Sequence, residues 1–436
     1  MGEEADANAE KKADGKPDKK DSTAPKNIGQ EIELFVNQVD ALAETLPLAA
    51  VAVQGARTTS SQQLSTFLRQ ECTVASREGK TTTYSFQGSQ YLKFQRLQRR
   101  VQKAELAQIL VPRGLLVALV SQFDAYVGGI VRQLFHARPE ILDSSGKQLT
   151  LAQLSEFGSI EAAKEYVIDK EIESVLRDSH TDQFEWLESK FGIALRKELP
   201  AWPVFIELTE RRNLFVHTNG IVSRQYLDVC RKHSCQLPAG VGLGDSLPIT
   251  REYFTTAYDC ILEIGVKLGQ VLWRKVQPDN IKDADENLVG VTYNLITEGR
   301  YKLARVLLDF GTGLKKHSSI DARLRFVVNR AQTYKWTGDE EKCGKILDAE
   351  DWTATDAKFR LACAVLRDDF KAAREWVIQI GNGHKEVDSH AYREWPMFKE
   401  FRKSPEFGAL FEEIFGEPLN KFVVKEDEGS GPQHVN

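Results

Sequence analysis

Apolar residues recur at intervals of three and four along most of this chain, the spacing of one buried face of an α-helix. Ile32, Phe35, Val39, Leu42 and Leu46 form one such face over residues 28–46. Leu115, Leu119, Phe123, Tyr126, Ile130 and Leu134 form a more strongly apolar one over 114–135, with Asp124 inside it and Pro139 as its stop. Helical spacing returns at 159–176, 182–191, 200–217, 222–232 and 251–276. Pro200 and Pro203 open the third of these, and Asn219-Gly220 closes it. The six helical segments from 114 onward, with short connections, describe a bundle. Only residues 80–95, with their Thr-Thr-Thr-Tyr-Ser-Phe run, read as a short hairpin or irregular insert before a helix over 92–110.

From about residue 285 the texture becomes repetitive. Gly299, Gly338 and Asp368 occupy equivalent turns 39 and 30 residues apart, each followed five positions later by a small residue, Ala304, Cys343 or Ala373. A small residue there lets paired helices approach closely, and each pair buries its face on the next. The pattern resembles degenerate tetratricopeptide repeats, with Trp395, Phe398, Phe401 and Phe407 as an aromatic closing segment. The expected organisation is a disordered charged tail over 1–27 and an N-terminal helical region with a short hairpin over 28–112. A bundle over 113–283, repeats over 284–422 and a second disordered tail over 423–436 follow. The first tail holds six Lys and seven Asp or Glu and no branched apolar residue, too little to offset its ordering entropy.

Charge narrows the function classes. With 58 basic and 63 acidic side chains the net charge is −5, which argues against strong non-specific duplex binding. A local cluster, Arg96, Arg99, Arg100 and Lys103, either touches phosphates or is a solvated helix face. Six scattered cysteines are not a disulfide framework. The longest apolar runs, such as 115–120, fall short of a bilayer's thickness, and no charged start leads into an apolar stretch. The expectation is a cytoplasmic protein with no membrane association.

Most chemical motifs are missing. The Gly311 and Gly381 stretches lack phosphate-loop spacing, and no nucleophile elbow occurs. Cys230, His233 and Cys235 lack a fourth ligand of suitable spacing, so neither metal nor cofactor is expected. What remains is Glu210-Arg211-Arg212-Asn213-Leu214-Phe215-Val216-His217-Thr218-Asn219-Gly220. Arg212 and His217 sit at a helix mouth about 140° apart around its axis, so Arg212 needs its full length to converge on the imidazole. The plainer reading keeps His217 as a helix-end cation favoured by the dipole, with Arg212 in an ordinary ion pair.

These residues resemble the ribonuclease motif of HEPN domains, which is Arg, a polar residue, a short spacer and His. Phe123-Asp124-Ala125-Tyr126 and Arg138-Pro139 add to the likeness, which covers roughly residues 113–280. It implies an all-α fold, a HEPN-like bundle followed by a short tetratricopeptide-like solenoid. The bundle would dimerise so that two motifs share one cleft. It also implies a metal-independent endoribonuclease of a prokaryotic defence or toxin system, regulated through the repeats. Arg212, Asn213 and His217 would be catalytic, Arg211 a further RNA contact (or a solvated or ion-paired residue) and Asp124 auxiliary (or satisfied locally). The partners implied are RNA, a second copy, and a protein partner or trigger at 284–422. Some HEPN proteins have lost activity and only bind, so an interaction protein is the alternative.

The chemistry agrees. RNA carries its own nucleophile, the 2′-hydroxyl, so the protein must supply a proton carrier near neutrality and a cation for the developing phosphorane. Imidazole and guanidinium meet those needs.

Overall fold

Asn27 caps the first helix. Its side chain accepts from the Gln30 N–H, and the Gln30 side chain accepts from the Asn27 N–H, both at 2.9 Å, satisfying two otherwise orphaned helix donors. The computed structural model describes residues 27–143 and 149–420. The two tails expected to be disordered therefore lie outside the described residues, apart from Asn27 itself. The described residues are all-α except for one hairpin.

Helix α1 (Ile28–Glu71) leads through strands β1 (Thr73–Glu78) and β2 (Thr81–Ser85) into α2 (Gly88–Ala137). The helices expected at 28–46, 92–110 and 114–135 are thus two much longer ones, and the boundary drawn at 112/113 falls inside α2. Both run through a proline, Pro47 in α1 and Pro112 in α2. Each proline removes one helical hydrogen bond without ending its helix. Beyond Leu46 in α1 and before Leu116 in α2, only Phe67 and Ala104 are buried. The outer parts of both helices and the hairpin therefore form an arm that projects from the bundle. Each long helix also holds an 18-residue window apolar enough to cross a membrane by length and composition. The uninterrupted apolar runs in the sequence did not reveal these windows. Half of the α2 window is buried in the bundle.

The bundle is completed by α3 (Glu140–Asp143), α4 (Leu151–Glu156), α5 (Ile160–Arg177), α6 (His180–Phe191), α7 (Trp202–His217), α8 (Arg224–Lys232) and α9 (Arg251–Val276). Helix α9 packs on α1, α2 and α7. Gly265 and Gly269 make this possible, because a Cβ at either would run into the Phe35 ring or the Tyr126 hydroxyl. Tyr126 instead donates to the Gly265 carbonyl at 2.9 Å.

Three helical hairpins follow: α10 (Ile281–Thr297) with α11 (Tyr301–Thr312), α12 (Ile320–Lys335) with α13 (Glu340–Asp348), and α14 (Ala357–Leu366) with α15 (Phe370–Ile380). Their first helices touch in series, α10 on α12 and α12 on α14. The three aligned turn residues all take left-handed backbone, with φ of 76° at Gly299, 80° at Gly338 and 57° at Asp368. Ala304, Cys343 and Ala373 are all buried. Short helices α16 (Ser389–Glu394) and α17 (Pro405–Phe415) close the array around Tyr392, Phe398, Phe401 and Phe407.

The boundary at 283/284 falls inside α10. Ala284, Leu288, Leu303 and Leu307 belong to the bundle's core, whereas a separate core begins at Leu324. The joint is polar as well as apolar. Asp285, 1% exposed, accepts from Arg274 Nη2 at 2.8 Å and from the Ser318 N–H and hydroxyl at 2.7 and 2.8 Å.

Candidate functional site

Helix α7 carries the motif, and its inner face is fixed first. The buried Glu207 carboxylate accepts from Arg211 Nε at 2.7 Å, the Tyr226 hydroxyl at 2.6 Å and the Tyr253 hydroxyl at 2.7 Å. The Arg211 guanidinium also lies 3.9 Å from the centroid of the Tyr253 ring. These contacts tie α7 to α8 and α9. They also overturn the expectation that Arg211 touches RNA. At 3% exposure, with its charge already neutralised, it serves the fold rather than a phosphate.

One position on, Arg212 faces α2. Its Nη2 donates to Asp124 Oδ2 at 2.7 Å, and Asp124 Oδ1 meets His180 Nε2 at 2.8 Å. Asp124 therefore bridges a guanidinium and an imidazole from two other helices. The Arg212 side chain keeps about a fifth of its surface open, its buried Nε has no partner, and a fork of five N–H donors is far from saturated by one carboxylate oxygen. Phe205 sets the floor, its ring edge-on to His180 with centroids 5.4 Å apart.

Asn213 donates to Glu210 Oε1 at 3.4 Å. Burial pushes the Glu210 carboxyl above its ordinary range, opposed by His180, by the Asn213 bond and by Arg212. A half-buried carboxyl pushed above its usual range beside a guanidinium and an imidazole is the kind of perturbation that marks functional sites.

His217 ends α7, exposed, with no hydrogen bond or ion pair to any described residue. The helix stops where Asn219 and Gly220 turn left-handed, at φ 53° and 80°. The N–H groups of Thr218 and Gly220 both close on the Leu214 carbonyl at 2.9 Å. Arg113 of α2 braces this end, donating to the Asn219 carbonyl at 2.9 Å and to the Ser246 hydroxyl at 3.2 Å. Next to His217 in sequence Val216 is 51% exposed, and Ile221, whose carbonyl accepts from the Thr218 hydroxyl at 2.8 Å, is 41% exposed, so apolar surface is open at this helix end.

The structure thus brings together Arg212, Asp124, Asn213, His180 and Glu210, and leaves His217 open at the helix end. His180 and Glu210 were not singled out from the sequence. The available signal for His180 was Ser179, whose side chain accepts from the Asp182 N–H and starts α6 two residues before the apolar spacing does. Among the described residues, no group of three or more His, Cys, Asp or Glu is arranged to hold a metal ion. No model of a known protein family, no curated protein and no solved structure matches this chain.

Proposed function

We propose that the chain is a metal-independent endoribonuclease of the HEPN kind that works as a homodimer, cutting RNA by attack of the 2′-hydroxyl on the adjacent phosphorus. The observation that carries this reading is the Arg212 fork held by Asp124, on the same helix whose end leaves the His217 imidazole open to solvent. Arg212 is anchored at one nitrogen and keeps further donors for phosphate oxygens, a preorganised cation where negative charge develops. His217 provides a proton carrier. Transesterification uses a base for the 2′-hydroxyl and an acid for the leaving 5′-oxygen, and two copies of His217 across a two-fold axis supply both. Val216 and Ile221 give that axis an apolar contact.

The repeats serve recognition of a regulating partner. Helices α10, α12 and α14 line a cavity of about 450 Å³. Its wall is apolar at Val289, Val328, Phe359 and Trp395, and Glu386 sits at its edge, bonded to Arg325 and Lys358 at 2.7 and 2.8 Å. This cavity is also what favours the second reading, a docking protein without catalysis, in the setting of a prokaryotic defence or toxin system. An RNA-cleavage assay in excess chelator separates the two. The enzyme yields products ending in a cyclic phosphate and a 5′-hydroxyl, and the docking protein leaves RNA intact.

A further inference from the structure

The arm is chemically unlike the rest of the molecule. Residues 47–112 hold nine Lys or Arg and three Asp or Glu, a net charge of +6, whereas the remaining 49 bases and 60 acids put the rest of the chain at −11. Two of the arm's three acids are already used, Glu71 by Lys93 and Glu105 by Arg57. Among the described residues Arg96, Arg99, Arg100 and Lys103 face no carboxylate, and the only hydrogen bond recorded for the four is a 3.4 Å contact from Arg100 to Gln63. These four side chains, with Leu92 and Gln95, line one open groove of about 430 Å³.

The placement is directional. Arg96, Arg99, Lys103, Leu106, Leu110 and Arg113 follow one another at spacings of three and four. They run along the side of α2 away from the seam with α1, where Leu97, Val101, Ala104 and Gln108 are more buried. The line ends at Arg113, which braces the mouth where His217 lies open. At 1.5 Å per residue the basic groove begins about 15 Å and ends about 25 Å from Arg113. At the arm's tip Phe86 stacks on Tyr91, with centroids 6.5 Å apart, and leans on Phe94 at 5.0 Å. Tyr91 is 49% exposed, an aromatic face next to the groove. Unpaired cations in a line with an open aromatic beside them are what binds a single nucleic-acid strand, the cations tracking phosphates and the ring stacking a base.

We infer that the arm is a second RNA-binding site, in which Arg96, Arg99, Arg100 and Lys103 hold the backbone of a single strand and Tyr91 stacks one base, feeding that strand towards the α7 mouth. The choice of RNA over another polyanion rests on the ribonuclease reading above, while the cationic site itself does not. Because the arm has almost no core of its own, the same side chains are free to be changed without unfolding the bundle.

The test uses the full chain and a fluorescent 2′-O-methyl RNA strand, which cannot be cut through its 2′-oxygen. Replacing Arg96, Arg99, Arg100 and Lys103 by Gln lowers affinity at least about tenfold and flattens the slope of log affinity against log salt by about 2–3, since each phosphate contact on a single strand contributes about 0.7. Replacing the three arginines by Lys retains most of the binding. Tyr91→Ala lowers affinity about tenfold with the slope unchanged, as expected for lost stacking. Unchanged affinity and slope in the Gln variant overturn the inference, as does arm-dependent binding to phosphatidylserine vesicles with no RNA binding. If the strand binds through the arm but RNA with free 2′-hydroxyls is never cleaved, the ribonuclease reading fails and the arm site stands. If RNA is cleaved with the same KM by wild type and the Gln variant, the arm site fails alone.

Discussion

Arg212 and Asp124, 88 residues apart in sequence, meet at 2.7 Å through Nη2 and Oδ2. The carboxylate's other oxygen is already held against His180, so the fork is fixed in direction as well as position. Under the proposed ribonuclease function Asp124 is a positioning residue. Asp124→Asn should leave the fold intact and lower single-turnover cleavage by about 10²-fold, the scale of losing one preorganised donor, with KM for RNA little changed. A proportional rise in KM instead would mean that Asp124 serves binding rather than orientation.

His217 and Arg212 give the direct test of the site. His217→Ala removes the proton carrier and should cost about 10²–10⁴-fold in rate. Arg212→Ala should cost about 3–4 kcal/mol of transition-state stabilisation, and Arg212→Lys should recover only part of it, because an ammonium lacks the planar fork. Circular dichroism should find the His217→Ala protein folded, since this helix-end side chain is exposed. Wild-type cleavage by that protein would leave the docking reading as the better account.

The apolar surface at the end of α7 makes a separate prediction about assembly. Val216 and Ile221 are exposed in one chain, so Val216→Asp should change monomer stability by no more than about 0.5 kcal/mol. Burying that carboxylate against a second copy has no compensating partner, and sedimentation should show the dimer lost together with cleavage. A fully active monomer would remove the shared cleft from the mechanism.

The part of this architecture that was legible in the sequence is the part set by local spacing. Periodicity located α5, α7 and α9, and the alignment of Gly299, Gly338 and Asp368, each with a small residue five places on, marked the hairpin turns. What escaped depends on contacts between distant residues. Pro112 reads locally as a break, yet α2 passes through it from arm to bundle. The core does not end at 284, because α10 and α11 bury Leu288 and Leu307 with the bundle. Arg211 and Arg212 are indistinguishable in sequence, but 100° of helix rotation sends one to the buried Glu207 and the other to Asp124 on α2. Asp124 looked like a locally satisfied polar group, but α6 and α7 deliver an imidazole and a guanidinium to it.

Glu210 predicts a pH dependence whose sign follows from its raised pKa. A carboxyl that ionises less readily folded than unfolded favours the native state only while protonated. Its contribution is present below the ordinary Glu range, about 4.3, and is lost as pH rises from there through the raised value. Glu210→Gln removes the cost of burying that charge. Thermal denaturation should show the variant gaining stability over wild type at pH 7–8 and losing the gain at pH 4, and a constant difference across that range would refute the assignment.

Asp285 predicts the opposite dependence at the joint between bundle and repeats. Burial alone would raise its carboxyl, but bonds from His317, the Ser318 backbone, Arg274 and the Ser318 hydroxyl outweigh that and hold it well below the usual range. Stability from this group is therefore complete above the ordinary Asp value, about 3.9, and drains away as pH falls below it. Asp285→Ala leaves Arg274, whose side chain is 11% exposed, as an uncompensated buried charge, which costs about 3–5 kcal/mol. Because Asp285 links α9 and α10 to the loop before α12, the loss should first appear where the two cores meet. Hydrogen exchange on the variant should speed up in α10 and α12 before α2, α5 or α7, and wild type brought to pH 3 should show the same order. Uniform acceleration across the chain would mean that the bundle and the repeats unfold as one unit and that Asp285 is not the hinge between them.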